Sequence, residues 1–318
     1  MEIISNPTQD EIKKAAKALK NGHLVTFPTE TVYGIGADAT NEKAVSRIYS
    51  VKGRPTDHPL IAHISSINQL EKWARDIPDY AINLANEFWP GPMTLILKRS
   101  ELAMDFITGG QDSVGLRVPG HPVALALLSE FEKYGGEGVA APSANRFGAV
   151  SPTTALAAQE ELFQYLNKVH DIILDGGQSL IGVESTIINC TESTPEILRP
   201  GFITKEMIEN SIGIKTNKLY KSDIRVSGLL NVHYAPKARI ILDTLPKPGE
   251  GFFAMAHIPT PKGAIRLAAP ETVDAFARDL YAALRRADAQ EIKIVNVMQP
   301  NGIGLAEAIR DRLTRASS

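Results

Sequence analysis

SVKGRPTDHPLIAHI, residues 50–64, closes a helical pattern at 42–51, breaks at Gly53 and runs into the strand-like LIAHI at 60–64. A helix stopped by glycine and followed by a short apolar run is the unit from which α/β sheets are built. Lys52 and Arg54 flank that glycine. In an extended segment, residues two apart point to one side, and two cations there repel unless an anion lies between them. For an isolated Lys-x-Arg the ordinary reading is a solvated surface pair. Two further stretches share this construction, SVGLRVPGHP (113–122) and APSANRFGAVSPTT (141–154). Together they supply guanidinium forks, one ammonium, Ser and Asn side chains and turn amides. That is the equipment for a phosphorylated or carboxylated ligand. The chain has no GxxxxGK[ST] loop, so a nucleotide would not be held by the usual phosphate loop.

Working outward, strand patterns recur at HLVTF (23–27), MTLILK (93–98), SVGLRV (113–118), DIILD (171–175), STIINC (185–190) and EILR (196–199). Helical patterns lie at 8–20, 67–74, 78–88, 121–132 and 153–166. Thr8 and Glu11 have the spacing of a capping box, and Gly22 is the stop. The alternation predicts an α/β fold with a mixed, twisted sheet and flanking helices over residues 1–210. Residues 211–237 keep no sustained period and read as a long linker. ARIILD, GFFAMA, AIRLAA and IKIVNVM then alternate with helices near 271–287 and 304–316. This predicts a smaller, Rossmann-like α/β domain over 238–318 with a parallel sheet.

A chain of 318 residues fits about two domains, and its 43% hydrophobic content suffices for packed cores. No apolar run approaches the ~18 residues that span a bilayer. The start, MEIISNPTQDEIKK, has acidic residues and no apolar leader core, and Cys190 is the one cysteine. Both suit a reducing cytoplasm. The net charge of -2 gives no global attraction to nucleic acid.

FPTETVYGIGADA (27–39), KGRP (52–55), HPLIAHI (58–64), APSAN (141–145), GVESTIIN (182–189) and ILRPG (197–201) occur in this order. Together they resemble the YrdC-like domain of threonylcarbamoyl-AMP synthases. HYAP (233–236) and GIGLAEAIRDRLTRA (302–316) resemble the two-domain branch of that family. The resemblance implies a nucleotidyltransferase that joins L-threonine, bicarbonate and ATP into L-threonylcarbamoyladenylate with release of pyrophosphate. It implies Mg²⁺ brought with ATP, no dedicated metal site, and a downstream enzyme that modifies tRNA. Lys52 and Arg54 would bind the phosphates and stabilise the reacting centre. His58, Ser113, Ser143, Asn145, Ser151, Arg199 and Tyr234 would complete the ATP side. Thr31, His63, Arg117, Ala141 and Ser185 would hold threonine. At Ala141 the family often carries threonine, so only a backbone contact can be kept there.

The residues leave alternatives open. Arg117 lies within an apolar strand pattern, so it is either half of a buried salt bridge or a clamp for a carboxylate. Ser143 and Asn145 are also ordinary turn residues. His58 and His63 lack helical i, i+4 spacing, and no cysteine completes a zinc set. Two other functions remain: a non-catalytic module for double-stranded RNA or tRNA, and a carbamoyl-adenylate enzyme with another acceptor. The first needs clustered excess cations, and the second usually carries cysteine-rich zinc segments, which are absent. A weak tRNA contact by the enzyme itself is compatible with a local basic patch. Finally, residues 222–236, with the aromatic Tyr234, are expected to fold as a lid over the ligands.

Overall fold

The chain is seen as a computed structural model, which describes residues 3–216, 224–228 and 234–317. The first sheet is built from β1 (Ile3–Ser5), β2 (Val25–Phe27), β3 (Gly34–Asp38), β4 (Ile61–His63), β5 (Met93–Lys98), β6 (Ser113–Arg117), β7 (Val139–Ala140), β8 (Ile172–Asp175), β9 (Thr186–Asn189) and β10 (Glu196–Arg199). Among the described residues these ten strands follow the order β1-β8-β2-β3-β7-β4-β6-β5-β9-β10. Pairs such as β4–β6 and β5–β9 are parallel, whereas β2–β3, β5–β6 and β9–β10 are antiparallel, so the sheet is mixed as expected.

Helices α1 (Gln9–Lys20), α2 (Glu42–Lys52), α3 (Leu70–Trp73), α4 (Asp79–Phe88), α5 (Asp105–Thr108), α6 (Pro122–Lys133), α7 (Ala155–Leu162) and α8 (Lys205–Ile212) accompany it. The capping box at α1 forms, with Thr8 accepting from the Glu11 amide and Glu11 accepting from the Thr8 amide. Gly53 ends α2 in the left-handed region at φ 63°. Lys52 is therefore the last helical residue, and the extended reading of Lys52–Arg54 does not hold.

Strand β3 escaped the pattern reading because glycines alternate through it. Gly36 is needed there for close approach: a Cβ would lie 2.6 Å from Val139 Cγ1 and 2.8 Å from Phe27 Cε1. The boundary expected at 210 falls inside α8. Ile208 is in the first domain's core, with Ile212 and Ile214 packed against it.

The second sheet comprises β11 (Arg239–Leu242), β12 (Gly251–Phe253), β13 (Ile265–Ala268) and β14 (Ile294–Val297), ordered β11-β14-β12-β13 with every pair parallel. Helices α9 (Val273–Ala289) and α10 (Leu305–Ala316) pack on it. The second core is continuous with the first domain through Val32, Val150 and Val183, which cluster with Tyr234, Phe276, Leu280 and Tyr281. Of the expected lid, residues 222–223 and 229–233, including His233, lie outside the described residues. Among the described residues no helix is long and apolar enough to cross a membrane.

Candidate active site

One cleft gathers residues from distant sequence positions at the carboxyl ends of parallel strands. It is lined by Thr31, Arg54, His63, Arg117, Ala141, Ser143, Ser185, Arg199 and Tyr234 among the expected residues. Strands β4 and β6 run parallel with His63 directly opposite Arg117, so both side chains reach the same end. Open α/β sheets bind ligands at such ends.

Arg117 is buried and its fork is largely used. Nη2 donates to Glu30 Oε1 at 2.6 Å, Nη1 and Nη2 both to Thr31 Oγ1 at 3.1 Å, and Nε to the Gly91 carbonyl at 3.2 Å. Glu30 also accepts from the Gly120 amide at 2.8 Å. The structure thus contains the buried salt bridge, and its arginine lines the cleft as well. Burial, with the Arg117 cation beside it, pushes the His63 imidazole down to about 3. His63 is therefore neutral, and its buried Nδ1 finds no partner among the described residues.

Lys52 and Arg54 are both buried, and among the described residues neither is in a salt bridge. The Lys52 ammonium donates to the Ser143 carbonyl at 2.6 Å and to the Asn145 carbonyl. Burial, and then the Arg54 cation, draws its pKa well below the usual value. Arg54 Nη2 donates to the Pro59 carbonyl at 2.9 Å and to Ser227 Oγ at 3.0 Å, and burial lowers this guanidinium to about 10. Two desolvated cations bonded only to neutral acceptors form a site short of negative charge.

The remaining predicted residues divide. Asn145 is buried behind the wall, with Nδ2 on the Arg146 and Ala149 carbonyls and Oδ1 without a partner among the described residues. Ser151 is buried and donates to Glu184 Oε1 at 2.6 Å. His58 stands outside the cleft, its ring edge-on to Phe147 at 5.3 Å. Ser113 begins β6, about 13 Å along the strand from Arg117, and lines a smaller cavity under residues 225–227. Among the described residues no group of three His, Cys, Asp or Glu is placed to hold a metal.

Sequence reading missed Glu30, Glu184, Ser227 and Gly228, all of which touch or line the cleft. The acids had one available signal: each interrupts a run of small or apolar residues, in FPTET and GVEST. Ser227 and Gly228 lie in the aperiodic linker. Arg199 connects them to the site, donating to the Ser227 carbonyl at 2.8 Å and to the Ser185 carbonyl through Nε at 3.1 Å and Nη2 at 2.9 Å. From the same linker, Ala235 donates its amide to the Gly148 carbonyl at 2.9 Å.

A family model described as Telomere recombination, spanning Sua5, YciO and YrdC proteins, matches residues 17–201. A second, described as Threonylcarbamoyl-AMP synthase, C-terminal domain, matches residues 203–318. The chain is 40% identical to a threonylcarbamoyl-AMP synthase of Pyrococcus abyssi, over 96% of this chain and 94% of that protein. A Bacillus subtilis threonylcarbamoyl-AMP synthase is 37% identical over 99% of this chain and 95% of its own. The crystal structure of P. abyssi Sua5 complexed with L-threonine superposes with a TM-score of 0.88 at 38% identity, covering 100% of this chain and 98% of that one. With both domains matched and the fold shared throughout, the chain belongs to the threonylcarbamoyl-AMP synthase family.

Proposed function

We propose that this enzyme forms L-threonylcarbamoyladenylate from L-threonine, bicarbonate and ATP, releasing pyrophosphate. The observation that carries the reading is Arg54, a buried cation with no carboxylate partner among the described residues, lining the same cleft as Arg117, His63 and Thr31, with the buried Lys52 ammonium behind the wall on the carbonyls of Ser143 and Asn145. A polyanion supplies the missing charge at Arg54. An amino acid supplies polar partners at Arg117, His63 and Thr31, including one for His63 Nδ1.

The threonine amine adds to bicarbonate with loss of water to give a carbamate. A carbamate oxygen then attacks the α-phosphorus, the bond to the β-phosphate bridging oxygen breaks, and pyrophosphate leaves. Positioning and charge neutralisation carry such a step, with no covalent enzyme intermediate needed. Mg²⁺ arrives with the triphosphate as part of the substrate. Lys52, Arg54, Ser143, Asn145 and Arg199 serve the nucleotide, with Ser151 acting behind Glu184. Thr31, His63, Arg117, Ala141 and Ser185 serve threonine. The labile product passes to an enzyme that modifies adenosine in tRNA.

Residues 222–236 serve as the lid. Support comes from the described part: Ser227, Gly228 and Tyr234 line the cleft, and Ser227 Oγ occupies the Arg54 fork. A phosphate entering that fork displaces Ser227, which ties segment movement to binding and keeps water from a mixed anhydride.

The test is pyrophosphate release from ATP measured with and without threonine and bicarbonate, together with a mass spectrum of the protein-bound product. Release that needs both co-substrates, with an adduct of threonylcarbamoyl-adenylate mass, is expected. Release indifferent to threonine overturns the reading.

A further inference from the structure

The cleft wall contributed by GVEST is not supported by the first domain alone. Glu184 accepts from Ser151 Oγ at 2.6 Å on Oε1, and from Tyr281 Oη at 2.8 Å and Arg312 Nε at 2.9 Å on Oε2. Tyr281 and Arg312 stand on α9 and α10 of the second domain, and both are fully buried. Arg312 touches three parts of the cleft. Besides Glu184, its Nη2 donates to the Pro200 carbonyl at 3.0 Å, next to Arg199, and its guanidinium lies 5.4 Å from the Tyr234 ring centroid. Asp311 holds Nη1 at 2.7 Å. The domains meet closely here. Gly182 has φ +81°, and a Cβ on it would fall 2.4 Å from Arg278 Cα and 2.5 Å from the Ala277 carbonyl.

A carboxylate offers about four acceptor directions. Three are taken by Ser151, Tyr281 and Arg312, and the residue still lines the cleft. We propose that Glu184 accepts a hydrogen bond from an O–H or N–H donor on a bound substrate, and that Arg312 and Tyr281 are the positioning residues that aim it. The donor is a ribose hydroxyl on the nucleotide side, or the hydroxyl or amine on the threonine side. The second domain then forms part of the site's wall, not a tethered accessory. This rests on the adenylate-forming reading of the cleft.

The electrostatics agree. Burial alone would raise the Glu184 carboxyl, but Arg312, then Arg199, with the Ser151 and Arg312 hydrogen bonds, hold it down at about 2. Tyr234 and Tyr281 also face it, and burial raises both phenols. Glu184 is thus an acceptor at any working pH. Removing Arg312 leaves burial opposed only by Arg199 and Ser151, so the carboxyl titrates at higher pH.

The experiment uses the full chain. Wild type is assayed first for threonine-dependent pyrophosphate release, and its absence overturns the underlying reading and this proposal with it. Glu184→Gln, Tyr281→Phe, Arg312→Met and Arg312→Lys are then compared in saturation curves for both substrates, with thermal melts to confirm folding. Glu184→Gln is expected to raise KM about tenfold for one substrate only, and which one moves identifies the donor. Arg312→Met is expected to lose affinity for that same substrate, its KM rising at least threefold while the other substrate's KM stays. Arg312→Lys restores part of that affinity. Should Arg312→Met not fold, Tyr281→Phe decides, with at least a threefold rise in the same KM. Wild-type KM values for both substrates in Glu184→Gln overturn the proposal. So does an unchanged KM in a folded Arg312→Met or in Tyr281→Phe.

Discussion

Arg117→Lys separates the two roles that the structure gives this residue. Truncation to alanine would strand Glu30, whose side chain is only 10% exposed, and breaking a buried pair costs about 3–5 kcal/mol. A loss of activity would then report misfolding. Lysine keeps the charge and can keep the ion pair at 2.6 Å. It loses the planar fork, so the bonds to Thr31 Oγ1 at 3.1 Å and to the Gly91 carbonyl at 3.2 Å go. Each partner lost costs about 0.5–1.5 kcal/mol net, which puts the two, Thr31 and Gly91, near 1–3 kcal/mol together. Spent on ligand binding at 1.4 kcal/mol per decade, this is roughly a 5- to 100-fold rise in KM. The assay is paired saturation curves of pyrophosphate release for threonine and for ATP. The threonine curve is expected to move and the ATP curve to stay. Movement of the ATP curve alone, or of neither, refutes the assignment of Arg117 to the amino-acid end.

Lys52→Met keeps length but removes the donor to the buried Ser143 and Asn145 carbonyls. Pyrophosphate release should fall by about 10²–10³ and stability in urea by about 1–3 kcal/mol; near-wild-type turnover rules out a phosphate role. Gly228→Ala puts a Cβ 2.2 Å from Tyr234 Oη and 2.9 Å from Arg199 Nη1 at φ +86°, so the segment cannot seat as it does here. The ATP KM should rise, and an unchanged curve denies that this segment covers the nucleotide. His63 predicts a pH dependence of stability. Its folded pKa, about 3, lies below its ordinary 6.5, so its contribution is complete above pH 6.5 and is lost as pH falls toward 3. That is up to about 5 kcal/mol, in a window that opens above the one for Glu184, which runs from 4.5 down to about 2, and overlaps it below 4.5. Urea midpoints between pH 7 and pH 4 should fall more steeply for wild type than for His63→Gln, and equal slopes remove His63 as the cause.

The features legible in the chain alone are local. The Thr8–Glu11 box, the Gly53 stop and the apolar runs of β4, β5, β6 and β9 are written in spacings of a few residues, because capping and side-chain alternation act over that distance. The parallel second domain was legible for the same reason. The motif order was enough to name a family and a set of candidate residues. How those residues are used follows from packing between distant elements. Strand β3 exists because Phe27 and Val139 close over Gly36, which no period records. Arg117 finds Glu30 across 87 residues, and Glu184 draws Ser151, Tyr281 and Arg312 from 33, 97 and 128 residues away. A buried charge must be matched wherever the chain brings a partner, and burial is fixed by packing between elements. Local pattern shows that a charge sits in an apolar run, but only the folded chain shows what answers it.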